Sequence, residues 1–398
     1  MIYNLCNYIN CSTFVGNQLF YLMERLFEYS RSVDGQFFVG RKEDVLKLTA
    51  NFIFLTNTVV VAPQGWGKTS LVLQAARSAC AKEPNLKFCH VDISTVRDEE
   101  QLLVALAQSV LRSVSENIED VVSNVKRYFT RIEPRLSFGS ESAKDITLDF
   151  DRCDVCANRD LFIDLPYTVS KATGLKIVVC IDEFHNIDTF SDPQSLLMAL
   201  QECWNLHRNV AYCLCGNGNA MMEKFVSTAK SFRMFGERLN LGRISYVDLI
   251  KYIRDRFADS GKYIDDEMAG LIIDMVDSNP FYIQQLAHIS WMNTSVVCSR
   301  EVIVDAFNAV VDSMHLTFST LTYGMTSQQL CYLHAVLSGE KVISSSDVLH
   351  RHGITSATSA SRSKASLLEK GIIHISGGCP HFSDPLYAYW LAHKYFKH

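Results

Sequence analysis

The chain has 398 residues, 48% apolar, 11% aromatic and 20% charged, with a formal net charge of −5. The apolar content excludes a disordered or collagen-like chain, and the length allows two or three domains with cores of their own. The acidic total excludes coating of nucleic acid through bulk charge, so only local patches are left for such contact.

The first 23 residues, Met1 to Met23, contain no charged side chain. They lack the basic start of a signal peptide, and Asn4, Asn7, Asn10, Asn17 and Gln18 interrupt any membrane-spanning run. A start of translation at Met23 would account for them. The 13 cysteines have irregular spacings, which reads as reduced, buried thiols in a cytoplasmic protein. Cys153 and Cys156 form a C-x-x-C, but no second pair completes a four-ligand zinc site.

From Thr58 onward, short β-branched runs alternate with longer amphipathic stretches, the pattern of a parallel sheet flanked by helices. Strands are expected at Thr58 to Val61, Phe88 to Asp92, Ile177 to Ile181, Ala211 to Cys215 and Arg238 to Leu241. Helices are expected at Lys68 to Ala81, Glu99 to Val114, Pro193 to Leu206 and Asn219 to Val226. Leu136 to Asp164 breaks the rhythm and reads as a hairpin-bearing insertion. Helical periodicity then takes over at Tyr246 to Phe257, Asp265 to Val276, Pro280 to Trp291 and Arg300 to Met314. The last stretch gives helices near Gln328 to Leu337, Ser344 to His350 and Ser356 to Lys370, then two short strands across Gly377-Gly378, as in a winged helix. The expected division is an N-terminal extension (1–33), an α/β core (34–243), a helical lid (244–315) and a winged-helix domain (316–398).

The decisive string is A-P-Q-G-W-G-K-T-S, Ala62 to Ser70, between a strand and a helix. Gly65 and Gly67 let the backbone curl around phosphate oxygens, and the following helix presents its positive end to the same anion. Pro63, Gln64, Gly65, Trp66, Gly67, Lys68, Thr69 and Ser70 are therefore the candidate phosphate-binding residues. Lys68 is placed to reach the β- and γ-phosphates, and Thr69 to ligate Mg2+. Ala62 stands where such loops usually have their first glycine, and alanine tolerates positive φ less well.

A second motif, Ile177-Val178-Val179-Cys180-Ile181-Asp182-Glu183, is an apolar run ending in two carboxylates, which suits a central strand delivering acids to the phosphate end of the sheet. Asp182 is the candidate magnesium ligand, and Glu183 the candidate base that orients the attacking water. The next strand ends in Gly216-Asn217-Gly218-Asn219, where Asn217 is the candidate γ-phosphate sensor and Asn219 a candidate helix cap. Arg233, Arg238 and Arg243 all remain candidates for offsetting transition-state charge. No Asn-Lys pair of a guanine-reading loop occurs, so adenine is the expected base. Gly40 and Arg41, before the amphipathic Lys42 to Leu48, are candidates for lying against the nucleotide.

Together these residues resemble the archaeal-type ATPases of the STAND branch of the AAA+ superfamily. The matching strings are F-V-G-R at Phe38 to Arg41, A-P-Q-G-W-G-K-T-S-L, I-D-E-F-H at Ile181 to His185, F-G-E-R at Phe235 to Arg238, S-N-P-F-Y-I-Q-Q at Ser278 to Gln285 and D-P-L-Y-A-Y-W-L at Asp384 to Leu391. The resemblance implies an AAA+/ASCE-type P-loop NTPase core with a helical lid and a winged helix. It also implies ATP and Mg2+ as cofactors, hydrolysis coupled to conformational switching, and Pro280 near the nucleotide. His185 stands where the family has glutamine, and Asn217 where serine is common.

A DExH helicase shares the first two motifs, but the chain after Asp182 lacks room for a second RecA-like domain followed by this helical tail. A nucleotide-gated module without turnover, acting as scaffold or DNA binder, is the remaining alternative. Its winged helix would meet DNA or a protein through Arg351, Arg362 and Lys364 with Ser356, Thr358, Ser359 and Ser361. Between Thr326 and Tyr395, six Lys or Arg oppose four acids, so that segment is faintly basic.

Overall fold

The structure, a computed structural model, describes residues 26–29, 31–33, 35–132, 134–138, 146–217 and 235–397. The charge-free start, Asn219 with the helix expected there, and Arg233 lie outside the described residues. The chain divides into two units. One comprises Gly40–Ile244 with Val311–His398, and the other the chain up to Val39 with Ser245–Val310.

The first unit opens with α1 (Lys42–Ile53), which leads into β1 (Thr58–Val61). Thr-Val-Val-Val is buried throughout, as β-branched side chains on an interior strand should be. Next come α2 (Lys68–Lys82), β2 (Leu86–Asp92), α3 (Glu99–Ser113) and α4 (Ile118–Tyr128), followed by β3 (Arg135–Phe138) and β4 (Ile146–Asp149). Then follow α5 (Arg152–Ala157), α6 (Arg159–Ile163), α7 (Leu165–Thr173), β5 (Lys176–Asp182), α8 (Pro193–Trp204), β6 (Val210–Gly216) and β7 (Glu237–Asn240).

Five strands form one parallel sheet in the order β2-β5-β6-β1-β7. The expected strands are present with ends shifted by a residue or two. β5 and β6 are interior strands, and their unbroken apolar runs follow from burial on both faces. One face, with Val59, Val179, Ile181 and Leu214, packs with Leu102, Leu106 and Val110 of α3. Alternation turns Val60, Val178, Cys180 and Cys215 to the opposite face. There α2, with Ala75, Ala76 and Ala79 buried, lies against β2 and β6. Each fully buried Leu, Ile or Val contributes about 1.5–3 kcal/mol relative to exposure, so this packing fixes the register of β5 and the position of the carboxylates at its end.

The expected insertion contains the antiparallel pair β3 and β4. It also forms α5 and α6, helices of six and five residues, too short to show periodicity in the sequence. Phe129, Phe150 and Phe162 tie it to the core through ring centroids 4.9, 5.1 and 5.2 Å apart.

In the other unit are α9 (Tyr246–Asp259), α10 (Asp266–Met275), α11 (Pro280–Asn293) and most of α12 (Arg300–Ser313). Leu26 and Phe27 are buried within this unit, and Phe27 meets the rings of Tyr252 and Phe257. Gln284 is its polar knot. Its Oε1 accepts from Tyr252 Oη at 2.9 Å, and its Nε2 donates to the Phe37 carbonyl at 3.1 Å.

The C-terminal part of the first unit contains α13 (His315–Tyr323), α14 (Ser327–Leu337), α15 (Ser346–Arg351) and α16 (Ala357–Glu369). The antiparallel strands β8 (Ile373–Ser376) and β9 (Cys379–Phe382) and the short α17 (Pro385–Trp390) complete it. A Thr326–Gln329 capping box starts α14. Gly377 and Gly378, at φ 57° and 81°, make the two-residue hairpin turn. Among the described residues no helix is long and apolar enough to cross a membrane.

Candidate functional site

The loop from Ala62 to Gly67 joins β1 to α2. Gly65 and Gly67 take φ of 77° and 80°, the left-handed region that glycine enters without steric cost. Ala62 is not among the residues with positive φ. Its N–H donates to the Gly216 carbonyl at 3.3 Å, so this position extends β1 and makes no demand that alanine cannot meet. Gly67 caps α2, and the helix start aims its first N–H groups and positive dipole end at the loop.

Lys68 is buried, and its Nζ donates to Ala62 O at 3.2 Å, Pro63 O at 3.4 Å and Asn217 Oδ1 at 2.8 Å. Burial lowers its pKa, with Glu183 and Asp182 pulling the other way.

Asp182 ends β5. That strand does not pair with β1, because β6 lies between them, yet the Thr69 hydroxyl donates directly to Asp182 Oδ2. The backbone N–H of Glu183 donates to Asp182 Oδ1 at 3.0 Å, and His90 Nε2 lies 3.5 Å from Oδ2. Burial raises the Asp182 pKa, but the proximity of His90 and the Thr69 hydrogen bond more than offset it and hold the carboxyl below its ordinary value. Thr69 and Asp182 thus bring two hard oxygen donors into contact. Such donors fit Mg2+, which takes one or two protein oxygens and keeps waters and phosphate oxygens for the rest.

Glu183 adopts φ 56°, a left-handed conformation costing about 1–2 kcal/mol for a residue with a Cβ. It caps the short helical turn Phe184–Thr189. Burial pushes its carboxyl pKa up, against the pull of Lys68. His185 Nδ1 stands 3.3 Å from Glu183 Oε2 without hydrogen-bond alignment, and Asn217 Nδ2 lies 3.3 Å from His185 Nε2. Burial and Lys68 depress the His185 pKa, which favours a neutral ring able to accept from Asn217. Lys68, Asn217 and His185 therefore form a hydrogen-bonded chain from the loop that ends beside Glu183.

Gly40 has φ 65° and Arg41 φ 55°. The Arg41 side chain is 4% exposed and donates to the Trp66 carbonyl at 3.1 Å and to Asp44 at 3.5 Å. It props the loop from behind. Arg243 stands over the Trp66 ring, 6.0 Å from its centroid, whereas Arg238 is exposed and bonded to Asn240 at 2.8 Å. Of the two described arginine candidates, only Arg243 approaches the loop. Pro280 begins α11 in the other unit, next to Asn279, which caps that helix.

The sequence reading missed His90. It sits on β2 in register with Cys180, and Asp92 is in register with Asp182. The available signal was its spacing: two residues before the strand's terminal acid, it shares a face with that acid. His90 also lines a cavity of about 560 Å³ along β2 with Phe88, Asp92, Gln108 and Arg112.

No protein-family model matches the sequence, and no curated protein matches it. Among solved structures, the chain is similar to a Walker-type ATPase of Pyrococcus abyssi, with a TM-score of 0.65 and 14% identity over 92% of this chain and 99% of that one. The chain has the P-loop NTPase fold, a parallel five-stranded sheet flanked by helices. It is also similar to the ORC2 protein of Aeropyrum pernix in ADPNP-ADP complexes, with a TM-score of 0.50 and 13% identity over 90% of this chain and 93% of that one. In its ADP form that protein again gives a TM-score of 0.50, at 14% identity over 92% and 95%. At such identities the likeness is one of fold. In this strand order β6 is the direct neighbour of β1, so Asn217 at the end of β6 meets Lys68.

Proposed function

We propose that the chain binds Mg-ATP at the Ala62–Ser70 loop and hydrolyses it as a conformational switch of the STAND type. The observation that carries this reading is the direct contact of Thr69 with Asp182, two residues from separate motifs, beside the Lys68–Asn217 pair. The ADPNP-ADP complexes of the Aeropyrum pernix ORC2 protein support adenine as the base.

In this reading Lys68 and the first N–H groups of α2 hold the phosphates, and Thr69 and Asp182 hold the magnesium, which neutralises phosphate charge when bound. Asn217 reports on the γ-phosphate. Glu183 accepts the proton of the attacking water, and its raised proton affinity suits that task. Gly40 and Arg41 support the loop, Arg243 is the arginine we assign to transition-state charge, and Pro280 borders the nucleotide. The division at 33, 243 and 315 is the corresponding domain scheme.

ATP titration and phosphate release test the reading. Lys68→Ala is expected to lose ATP binding, and Glu183→Gln to keep it without releasing phosphate. Turnover of Glu183→Gln at the wild-type rate would remove the assigned base. Binding without turnover in the wild type would leave a nucleotide-gated scaffold. The segment α14–β9 is the part we assign to partner contact. Arg351 pairs with Glu340, and the Ser359 hydroxyl donates to Gln328 Oε1 at 3.0 Å, so of the cations expected to meet a partner, Arg362, exposed on α16, is the one to test. Salt-dependent retention on duplex DNA that is lost in Arg362→Glu would make that partner DNA, and no retention would remove DNA from that role.

A further inference from the structure

Three thiols meet inside the sheet, and the proposed nucleotide chemistry uses none of them. Cys213 and Cys215 are two residues apart on β6 and share a face, and Cys180 on β5 is in register with Cys213. All three are fully buried. Cys215 Sγ lies 3.7 Å from Cys180 Sγ and 3.9 Å from Cys213 Sγ, and the three sulfurs lie within 4.8 Å of one another.

Soft ions bond thiolates at about 2.3 Å, so three sulfurs around one pyramidal centre with angles near a right angle stand roughly 3.4 Å apart. The side chains already hold nearly that spacing. Among the described residues no fourth Cys, His, Asp or Glu joins the group, so the four-coordinate preference of zinc is unmet. Charge decides further. Three thiolates on a monovalent or divalent ion would leave net negative charge in a dry core, which is costly, whereas a trivalent centre gives a neutral complex.

We propose that Cys180, Cys213 and Cys215 form a binding site for a trivalent thiophilic ion of the arsenite class. Arsenous acid would form three As–S bonds. Each thiol proton leaves with one hydroxide as water, so three waters are released and no oxidation state changes. Cys180 is two residues before Asp182 and Cys215 two before Asn217, so drawing the sulfurs onto one ion shifts both ends of the candidate site. That coupling rests on the nucleotide reading above, but the ion site does not. Full burial makes loading slow, since α2 must part from the sheet.

The test uses the full chain carrying Cys153→Ser and Cys156→Ser, which removes the exposed pair. After prolonged incubation with arsenite and desalting, arsenic is counted and its coordination read by X-ray absorption. The expected result is one arsenic per chain with three sulfur neighbours. Retention should fall at least about tenfold in Cys180→Ala, Cys213→Ala or Cys215→Ala and stay unchanged in Cys89→Ala. Because a core variant can lose its fold, circular dichroism accompanies each, and the coordination measured with the intact triad stands by itself. No retained arsenic, fewer than three sulfurs, or unchanged retention in folded Cys213→Ala overturns the proposal. Preferential retention of Cu(I) against a competing chelator overturns the trivalent assignment. ATP binding is expected to weaken about tenfold on loading. A three-sulfur arsenic site in a chain that never binds ATP would refute the nucleotide reading and leave the ion site standing.

Discussion

Lys68 Nζ donates to Asn217 Oδ1 across 2.8 Å, and this one contact joins the loop after β1 to the tip of β6. Its partner amide nitrogen lies 3.3 Å from His185 Nε2, so the lysine and the histidine are held by the same amide. Asn217→Ala removes the acceptor and the proposed phosphate contact together. Its turnover is expected to fall about 10²-fold, with ATP affinity changing much less, because Lys68 keeps the Ala62 and Pro63 carbonyls. Asn217→Asp places a negative charge beside the γ-phosphate and is expected to favour ADP over ATP. Paired titrations with the two nucleotides measure both effects, and equal loss of ATP and ADP affinity in Asn217→Ala would assign Asn217 to loop structure alone.

Asp182 gives the fold a signature in acid. Burial alone would raise its pKa, but the nearby His90 and the bond from Thr69 bring it below the ordinary 3.8. A carboxyl whose folded pKa is depressed contributes stability above its unfolded pKa and loses it as the pH falls through the folded value. The difference in unfolding free energy between wild type and Asp182→Asn is therefore expected to be full near pH 7 and to shrink below about pH 4. Urea denaturation at stepped pH reads it, and a difference that grew on acidification would reverse the sign argued here.

Glu183 has the opposite sign. Its carboxyl is pushed up from 4.5 by burial, so the ionised form destabilises the fold at neutral pH. Glu183→Gln is expected to raise Tm at pH 7, with the gain vanishing as the pH falls below about 4.5. The same variant is the one expected to stop phosphate release. Stability gained where activity is lost would mark Glu183 as a functional group held at a cost, and a lowered Tm at pH 7 would count against that.

The outline of the fold was legible because its central strands, β1, β5 and β6, are interior. Val-rich β1 and the run from Ile177 to Ile181 are buried on both faces, and such burial demands unbroken apolar sequence. The loop glycines were legible because only glycine enters their φ cheaply. What stayed hidden depends on contacts between distant residues. Arg41 is a candidate for lying against the nucleotide in the sequence, but only the fold brings its guanidinium to the Trp66 carbonyl. His90 is an ordinary strand histidine until β2 pairs with β5. The cysteine trio needs the register of β5 against β6. The helices α5 and α6 are too short to carry a period.

Arg41 supports the loop through a bond that lysine cannot fully copy, since the guanidinium reaches Trp66 O and Asp44 from two nitrogens. Arg41→Ala leaves a partly buried carbonyl without this donor. It is expected to cost about 1.5–3 kcal/mol of stability and to weaken ATP binding more than it slows turnover of bound ATP. Arg41→Lys should recover part of the stability. Single-turnover phosphate release at saturating ATP separates the two effects, and a loss confined to the turnover step would place Arg41 in the chemistry instead.

Two glycines separate function from folding. Gly67, at φ 80°, has nothing within 4 Å of the position a Cβ would take, so Gly67→Ala meets only the backbone cost of about 1–2 kcal/mol. It sits where the proposed phosphates approach, and ATP binding should be lost in a chain that still folds. Gly236 lies at the other end of the sheet, before β7, and a Cβ there would stand 2.1 Å from the Asn57 carbonyl oxygen. That oxygen accepts from Glu237 N at 2.8 Å, while Asn57 Oδ1 accepts from Tyr212 N at 2.8 Å. Asn57 thus knots β1, β6 and β7 together and cannot yield. Gly236→Ala is expected to lose about 3 kcal/mol or more in urea unfolding, yet to bind ATP normally at low temperature where it remains folded. If Gly67→Ala proved the less stable of the two, or Gly236→Ala the weaker ATP binder while folded, the loop and the sheet end would not have the separate roles their geometry gives them.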